Sequence, residues 1–103
     1  MRKYETLLLL SPELSGEERT AILDTLSGVL DRVEGTDRVV DEWGMRDLAY
    51  PVRKQMRGYY VRLEYVCANA GVAELERIIR ITDGIYKFLT VQLADETQAE
   101  EVA

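Results

Sequence analysis

Gly58-Tyr59-Tyr60-Val61-Arg62-Leu63-Glu64-Tyr65 alternates with a period of two, placing Tyr59, Val61, Leu63 and Tyr65 on one side and Tyr60, Arg62 and Glu64 on the other. Successive side chains of a strand point to opposite faces, so the pattern predicts a strand with one apolar face. Upstream, Arg38 to Trp43 and Leu48 to Val52 also read as extended pieces joined through Gly44. Pro51 marks the second piece as reaching a sheet edge, where a missing N–H breaks no ladder bond. These stretches pair as a long hairpin with its tip near Lys54–Arg57. Downstream, Val72, Leu75, Ile78 and Ile79 recur at helical spacing between a cap expected at Asn69 and a stop expected at Gly84. Tyr86 to Leu93 then alternates again as a last strand.

The amino-terminal third supplies the other half. Tyr4 to Leu10 is apolar enough for a central strand and is ended by the turn residues Ser11-Pro12. Ser15 and Glu18 have the spacing of a capping box, in which each side chain satisfies an orphan N–H at a helix start. Ile22, Leu26, Val29, Leu30 and Val33 follow on one helical face, with Gly35 as the expected stop. The order strand, helix, strand, strand, helix, strand predicts an α+β, ferredoxin-like split β-α-β fold, with two helices on one face of a four-stranded antiparallel sheet. The uncovered face must then meet solvent, a partner or RNA. One domain is expected over residues 1–93. The tail 94–103 carries Asp95, Glu96, Glu100 and Glu101 and no base, and is expected to be disordered.

A chain of 103 residues buries roughly 60–65% of its unfolded surface, enough for a core without staples. Cys67 is the single cysteine, which excludes an intrachain disulfide and suggests a packed thiol in the reducing cytosol. The start lacks the apolar run of a secretory signal, and no stretch approaches the ~18–20 apolar residues of a membrane span, so a cytoplasmic protein is expected. The net charge is −6, but four acids sit in the tail and the remaining residues hold 13 bases against 15 acids. Between Gly44 and Arg62 the balance reverses: Arg46, Arg53, Lys54, Arg57 and Arg62 face Asp47 alone, a local charge of +4. A basic strip on an acidic domain can direct a polyanion to one face; a solvated, solubilising hairpin is its bland alternative.

Catalytic chemistry finds little to work with. There is no histidine, so the usual general base, a histidine triad and the commonest metal ligand are absent. The carboxylate pairs Glu17-Glu18 and Asp41-Glu42 lack a partner motif, and the seven glycines form no phosphate loop. No catalytic residue, metal or cofactor is expected. Arg57-Gly58-Tyr59-Tyr60-Val61 approaches the third-strand signature of the RNA-recognition module. Without a small residue between the two aromatics, however, Tyr59 and Tyr60 point to opposite faces and form no paired stacking platform.

Gly44-Met45-Arg46-Asp47-Leu48-Ala49-Tyr50-Pro51-Val52-Arg53 closely resembles the signature of the bacterial small-subunit ribosomal protein six family: Gly, any residue, a base, a polar residue, Leu-Ala-Tyr-Pro, an aliphatic residue and often another base. Met1-Arg2-Lys3-Tyr4-Glu5 is similar to that family's start, and Gly58-Tyr59-Tyr60 to its third strand. Val52 replaces the commoner Ile, and Asp47 stands where some members have a base. The resemblance spans Met1 to about Leu93. It implies a ribosomal structural protein that binds the central domain of the small-subunit ribosomal RNA beside ribosomal protein eighteen. On that basis Arg2, Lys3, Arg46, Arg53, Lys54, Arg57 and Lys87 are the implied phosphate contacts, fixing orientation without reading sequence. Trp43, Tyr50 and Tyr59 are assigned to core or protein interface rather than base stacking. Leu48, Tyr50 and Tyr59 form the expected surface for protein eighteen. Competing readings are a small-ligand regulatory domain of the same topology and a dimeric ferredoxin-like enzyme, the latter lacking a reactive group.

Overall fold

In a computed structural model the described residues are 1–93, and the acidic tail lies outside them. Six elements follow in the expected order: β1 (Arg2–Leu10), α1 (Gly16–Arg32), β2 (Thr36–Val52), β3 (Gln55–Cys67), α2 (Asn69–Ile81) and β4 (Ile85–Gln92). The strands form one antiparallel sheet in the order β2-β3-β1-β4. β1 and β3 pair without interruption from Arg2↔Cys67 to Leu10↔Tyr59. That register puts Tyr4, Thr6 and Leu8 on the same side as Tyr65, Leu63 and Val61, and the helices cover this side. Leu26, Val29 and Leu30 of α1 and Leu75 and Ile79 of α2 complete the core.

Local chemistry explains where the elements begin and end. The Glu18 N–H donates to Ser15 Oγ at 3.1 Å and the Ser15 N–H donates to Glu18 Oε1 at 2.8 Å, closing the capping box. These bonds hold the Glu18 carboxyl below its ordinary range. At the other end of α1 the chain closes a Schellman motif: the Gly35 N–H donates to the Leu30 carbonyl at 2.7 Å, and the Glu34 N–H to that of Asp31 at 3.2 Å. The left-handed residue is Glu34 (φ 60), so Gly35 sits one step past the position expected for the stop. Asn69 is likewise not the cap of α2. Ala68 holds that place without a side-chain bond, because Asn69 Oδ1 accepts from the Tyr4 hydroxyl at 2.6 Å.

The hairpin departs most from its sequence reading. The two extended pieces are one 17-residue strand, β2, kept continuous by a bulge: Glu42 pairs with Val61 and Gly44 with Tyr60, leaving Trp43 as the extra residue. Gly44 has φ 88 and a Cβ there would meet nothing within 4 Å, so glycine is required for backbone conformation and not for space. The tip is tighter than expected. Val52 pairs with Gln55, and the two residues between them, Arg53 (φ 51) and Lys54 (φ 65), are both left-handed, as a type I′ turn requires. That turn ordinarily takes Asn-Gly.

One polar chain crosses the core. Thr6 Oγ1 lies 2.7 Å from the buried Tyr65 hydroxyl and 2.9 Å from Oγ1 of the half-buried Thr90, so three strands share a hydroxyl network. No buried side-chain polar atom of the described residues lacks a partner. Cys67 is packed and fully buried, and burial pushes its thiol up.

Burial pushes the Tyr65 phenol to about 12. Because the folded value lies above that of the unfolded chain, roughly 10, the phenol's stabilising contribution is intact below pH 10 and is lost as pH rises toward 12. Denaturant melts should show a decline in this window of about 2–3 kcal/mol beyond that of Tyr65→Phe; parallel pH profiles for the two proteins would refute it. Glu34→Gly should raise stability by about 1 kcal/mol, since glycine occupies the left-handed position without a Cβ penalty, and an unchanged melting temperature would contradict that account.

Candidate nucleic-acid interface

The face of the sheet away from the helices divides into two halves. At the end nearest Arg2, charged residues cross three strands. Glu5 and Glu64 stand directly opposite in the β1–β3 register, a like-charge pair that would repel. Arg62 resolves it, with Nε 3.2 Å from Glu5 Oε1, Nη1 3.0 Å from Asp41 Oδ2 and Nη2 on Glu64. Lys3 Nζ adds a contact of 2.9 Å to Glu64 Oε1. Hydrogen bonding from Lys3, then from Arg62, holds the Glu64 carboxyl below its ordinary range. Hydrogen bonding to Glu64 raises the Arg62 guanidinium further. Both cations are thereby engaged within the sheet.

The other half is apolar. Leu7, Leu9, Leu48, Tyr50, Tyr60 and Leu89 line adjoining shallow grooves there. Leu9 is only 5% exposed although it faces away from the helices, because it lies across Gly58: a Cβ at 58 would fall 2.2 Å from Leu9 Cδ1. Glycine on β3 is what admits this crossing. Tyr50 and Leu89, by contrast, are 61% and 63% exposed. Leucines at 7 and 9, alternating along β1 with those at 8 and 10, were the sequence signal for this groove, since a water-facing strand side would carry polar residues at alternate positions.

The basic hairpin arm borders this apolar half. Arg46 is opposite Gly58 and Asp47 opposite Arg57, with Arg53 and Lys54 at the tip. The tip reaches β4: Arg53 lies over the Tyr86 ring at 5.2 Å, and Lys87 over the Tyr50 ring at 5.0 Å. Lys87, remote in sequence, thus joins Arg46, Arg53, Lys54 and Arg57. Among the described residues the ion pairs take in only Arg57 of this group, its Nε 3.2 Å from Asp47 Oδ1 in an exposed pair worth little in water. Arg2 and Lys3 stand apart. The register partner of Arg2 is Cys67, ten residues from Arg57 along β3, roughly 33 Å at about 3.3 Å per residue.

The expected protein surface also divides. Leu48 and Tyr50 share the apolar groove, while Tyr59 is on the helix side. It packs against the core, has Arg19 over its ring at 4.2 Å and donates its hydroxyl to Glu42 Oε1 at 3.0 Å. Burial and the Glu42 contact raise this phenol above its ordinary value. Trp43 and Tyr50, assigned to core or interface, are both exposed, Trp43 by 44%. Among the described residues no cluster of potential ligands could hold a metal ion, and no helix is long and apolar enough to cross a membrane.

Comparison with known proteins agrees with this architecture. The chain is 70% identical to the small ribosomal subunit protein bS6 of Nitratidesulfovibrio vulgaris strain Hildenborough over the full length of both. It is 57% identical to the bS6 protein of Lawsonia intracellularis over 99% of each. The crystal structure of 30S ribosomal protein S6 from Thermotoga maritima superposes with a TM-score of 0.86 at 27% identity, covering 98% of this chain and 92% of that one. B. subtilis GlnK gives a TM-score of 0.50 at 10% identity over 90% and 86% of the two chains, a likeness of fold alone. The family model described as ribosomal protein S6 matches residues 3–92, and with it the signature segment, the split β-α-β topology and the full-length identities agree: the chain belongs to the ribosomal protein S6 family, a family of structural ribosomal proteins and not of enzymes.

Proposed function

We propose that this chain is a structural constituent of the small ribosomal subunit in the cytoplasm. Its hairpin arm binds the central domain of the small-subunit ribosomal RNA, and ribosomal protein eighteen covers the apolar half of the open sheet face. One observation carries the RNA reading: Arg53 and Lys54 are both held left-handed at a hairpin tip, where Asn-Gly would be less strained by roughly 1–2 kcal/mol per residue. Two cations kept at that cost, with Arg46, Arg57 and Lys87 on the same end of the molecule, suit a phosphate backbone. Such backbone outliers gather where function demands them. Arginines there supply bidentate phosphate bonds and lysines point charges.

Of the implied contacts, Arg46, Arg53, Lys54, Arg57 and Lys87 form the primary set. Arg2 can reach only a separate phosphate, and the role of Lys3 is first to offset the Glu5–Glu64 repulsion. The exposed Leu89 and Tyr50, with the half-buried Leu7 and Leu48, suit a partner protein, because water gains nothing from them and an apolar surface does. Leu48 and Tyr50 belong to that contact; Tyr59 supports it from behind through the core.

Binding of a central-domain RNA fragment, measured with protein eighteen present, should weaken steeply with salt as counterions are released. Arg46→Ala should raise Kd roughly tenfold and lower the salt slope by about 1. Replacing Arg53-Lys54 with Asn-Gly should stabilise the fold while weakening RNA binding, whereas a tip with only a structural role would gain stability at no loss of affinity. Absence of binding at low salt, with and without protein eighteen, would overturn the proposal. For the partner contact, Leu48→Glu or Tyr50→Glu should weaken pairing with purified protein eighteen at least tenfold in a variant of unchanged melting temperature; wild-type affinity would remove the groove from the interface.

A further inference from the structure

We infer that Trp43 is a stacking platform for one unpaired base of the bound RNA, with Arg46 beside it to hold the phosphate of a neighbouring nucleotide. The inference rests on the RNA-binding role proposed above and adds to it a contact of a different kind. Trp43 is the extra residue of the β2 bulge, with no partner across the ladder, and a bulge re-aims the side chain it carries. Gly44 is present for that bulge, since its backbone is left-handed and its missing Cβ relieves no contact. Backbone geometry is thus committed to the placement of one large aromatic ring.

The ring is placed where a base could use it. Its centroid lies 6.4 Å from that of Tyr60, with the planes at 44°, so Tyr60 supports the indole from one side while 44% of the residue stays open. Arg46 Nε donates to the Trp43 carbonyl at 3.4 Å, which tethers a guanidinium next to the indole. Of the two acids that precede Trp43, Asp41 is paired with Arg62, and Glu42, which keeps its charge beside the Tyr59 hydroxyl, lies opposite the core residue Val61 on the helix side of the sheet. Local charge therefore favours an anionic chain on the Arg46 side. The apolar groove assigned to the partner protein is lined by Tyr60 and does not include Trp43. Stacking an exposed aromatic on a base is the main sequence-tolerant contact to single-stranded nucleic acid, and cations beside it add to the attraction.

Trp43 is the only tryptophan of the chain, so its emission reports on the site directly. The full-length protein should be titrated with the central-domain RNA fragment in the presence of protein eighteen, with Trp43→Phe as the spectral blank. RNA should quench Trp43 by a third or more, and Trp43→Ala should raise Kd roughly tenfold while Trp43→Phe recovers most of the affinity. Arg46→Ala should weaken binding but leave the quenching at saturation intact, which separates stacking from charge. The inference fails if RNA binds with wild-type affinity to Trp43→Ala, folded by its thermal melt. It fails equally if the emission responds only to protein eighteen, by a blue shift without quenching, since the ring then belongs to a protein contact. In either case the hairpin cations would still bind RNA, whereas no RNA binding by the wild-type protein would overturn both readings.

Discussion

The uninterrupted pairing of β1 with β3 is the constraint from which the rest follows. Side-chain direction in a strand has a period of two, so a register fixed from Arg2↔Cys67 to Leu10↔Tyr59 assigns every residue of the two central strands to a side. A slip of one residue would bring Lys3, Glu5 and Leu7 under the helices and expose Tyr4, Thr6 and Leu8. The Thr6–Tyr65–Thr90 hydroxyl network guards against such a slip, because moving it would leave buried oxygens without partners, at a cost of about 1–3 kcal/mol each. Two helices cover only one side, and everything proposed about function concerns what the register leaves on the other.

That open side is not uniform, and its division has a physical basis. Where glutamates face each other, arginine and lysine bridge them, giving a surface that is polar but already satisfied. Where leucines face each other, glycine at 58 lets one leucine lie flat and the hairpin arm curls toward β4. An ion-paired surface loses its water reluctantly, and an apolar one gains by losing it. Under the proposed role a protein partner would take the leucine half, with Lys87 lining its groove and the other hairpin cations at its border.

Much of this was legible in the residues. The alternation of Gly58 to Tyr65, the capping box at Ser15 and the helical spacing of Ile22, Leu26, Val29 and Leu30 are local signals, and local physics decides them. What was not legible depended on distant partners. Asn69 looks like an ordinary cap until Tyr4, 65 positions away, takes its side-chain oxygen. Arg62 reads as part of a basic strip until Glu5 and Asp41, on two other strands, surround it. Lys87 joins the hairpin cations only because the arm bends across to β4. Tyr59 is a different case: the alternation that grouped it with Val61 and Leu63 already placed it on the helix side, away from Tyr50.

Glu5, Asp41 and Glu64, held by Arg62 and Lys3, lie at one end of the sheet face, and the cations Arg46, Arg53, Lys54, Arg57 and Lys87, against Asp47 alone, gather at the other. A molecule with net charge −6 arranged in this way is an electric dipole and not a uniform anion. In the field of a polyanion such a dipole experiences a torque before it experiences contact, turning the Arg53–Lys54 end forward. Collisions with ribosomal RNA are thereby biased toward one orientation, and the overall repulsion that net charge alone would suggest becomes a means of alignment.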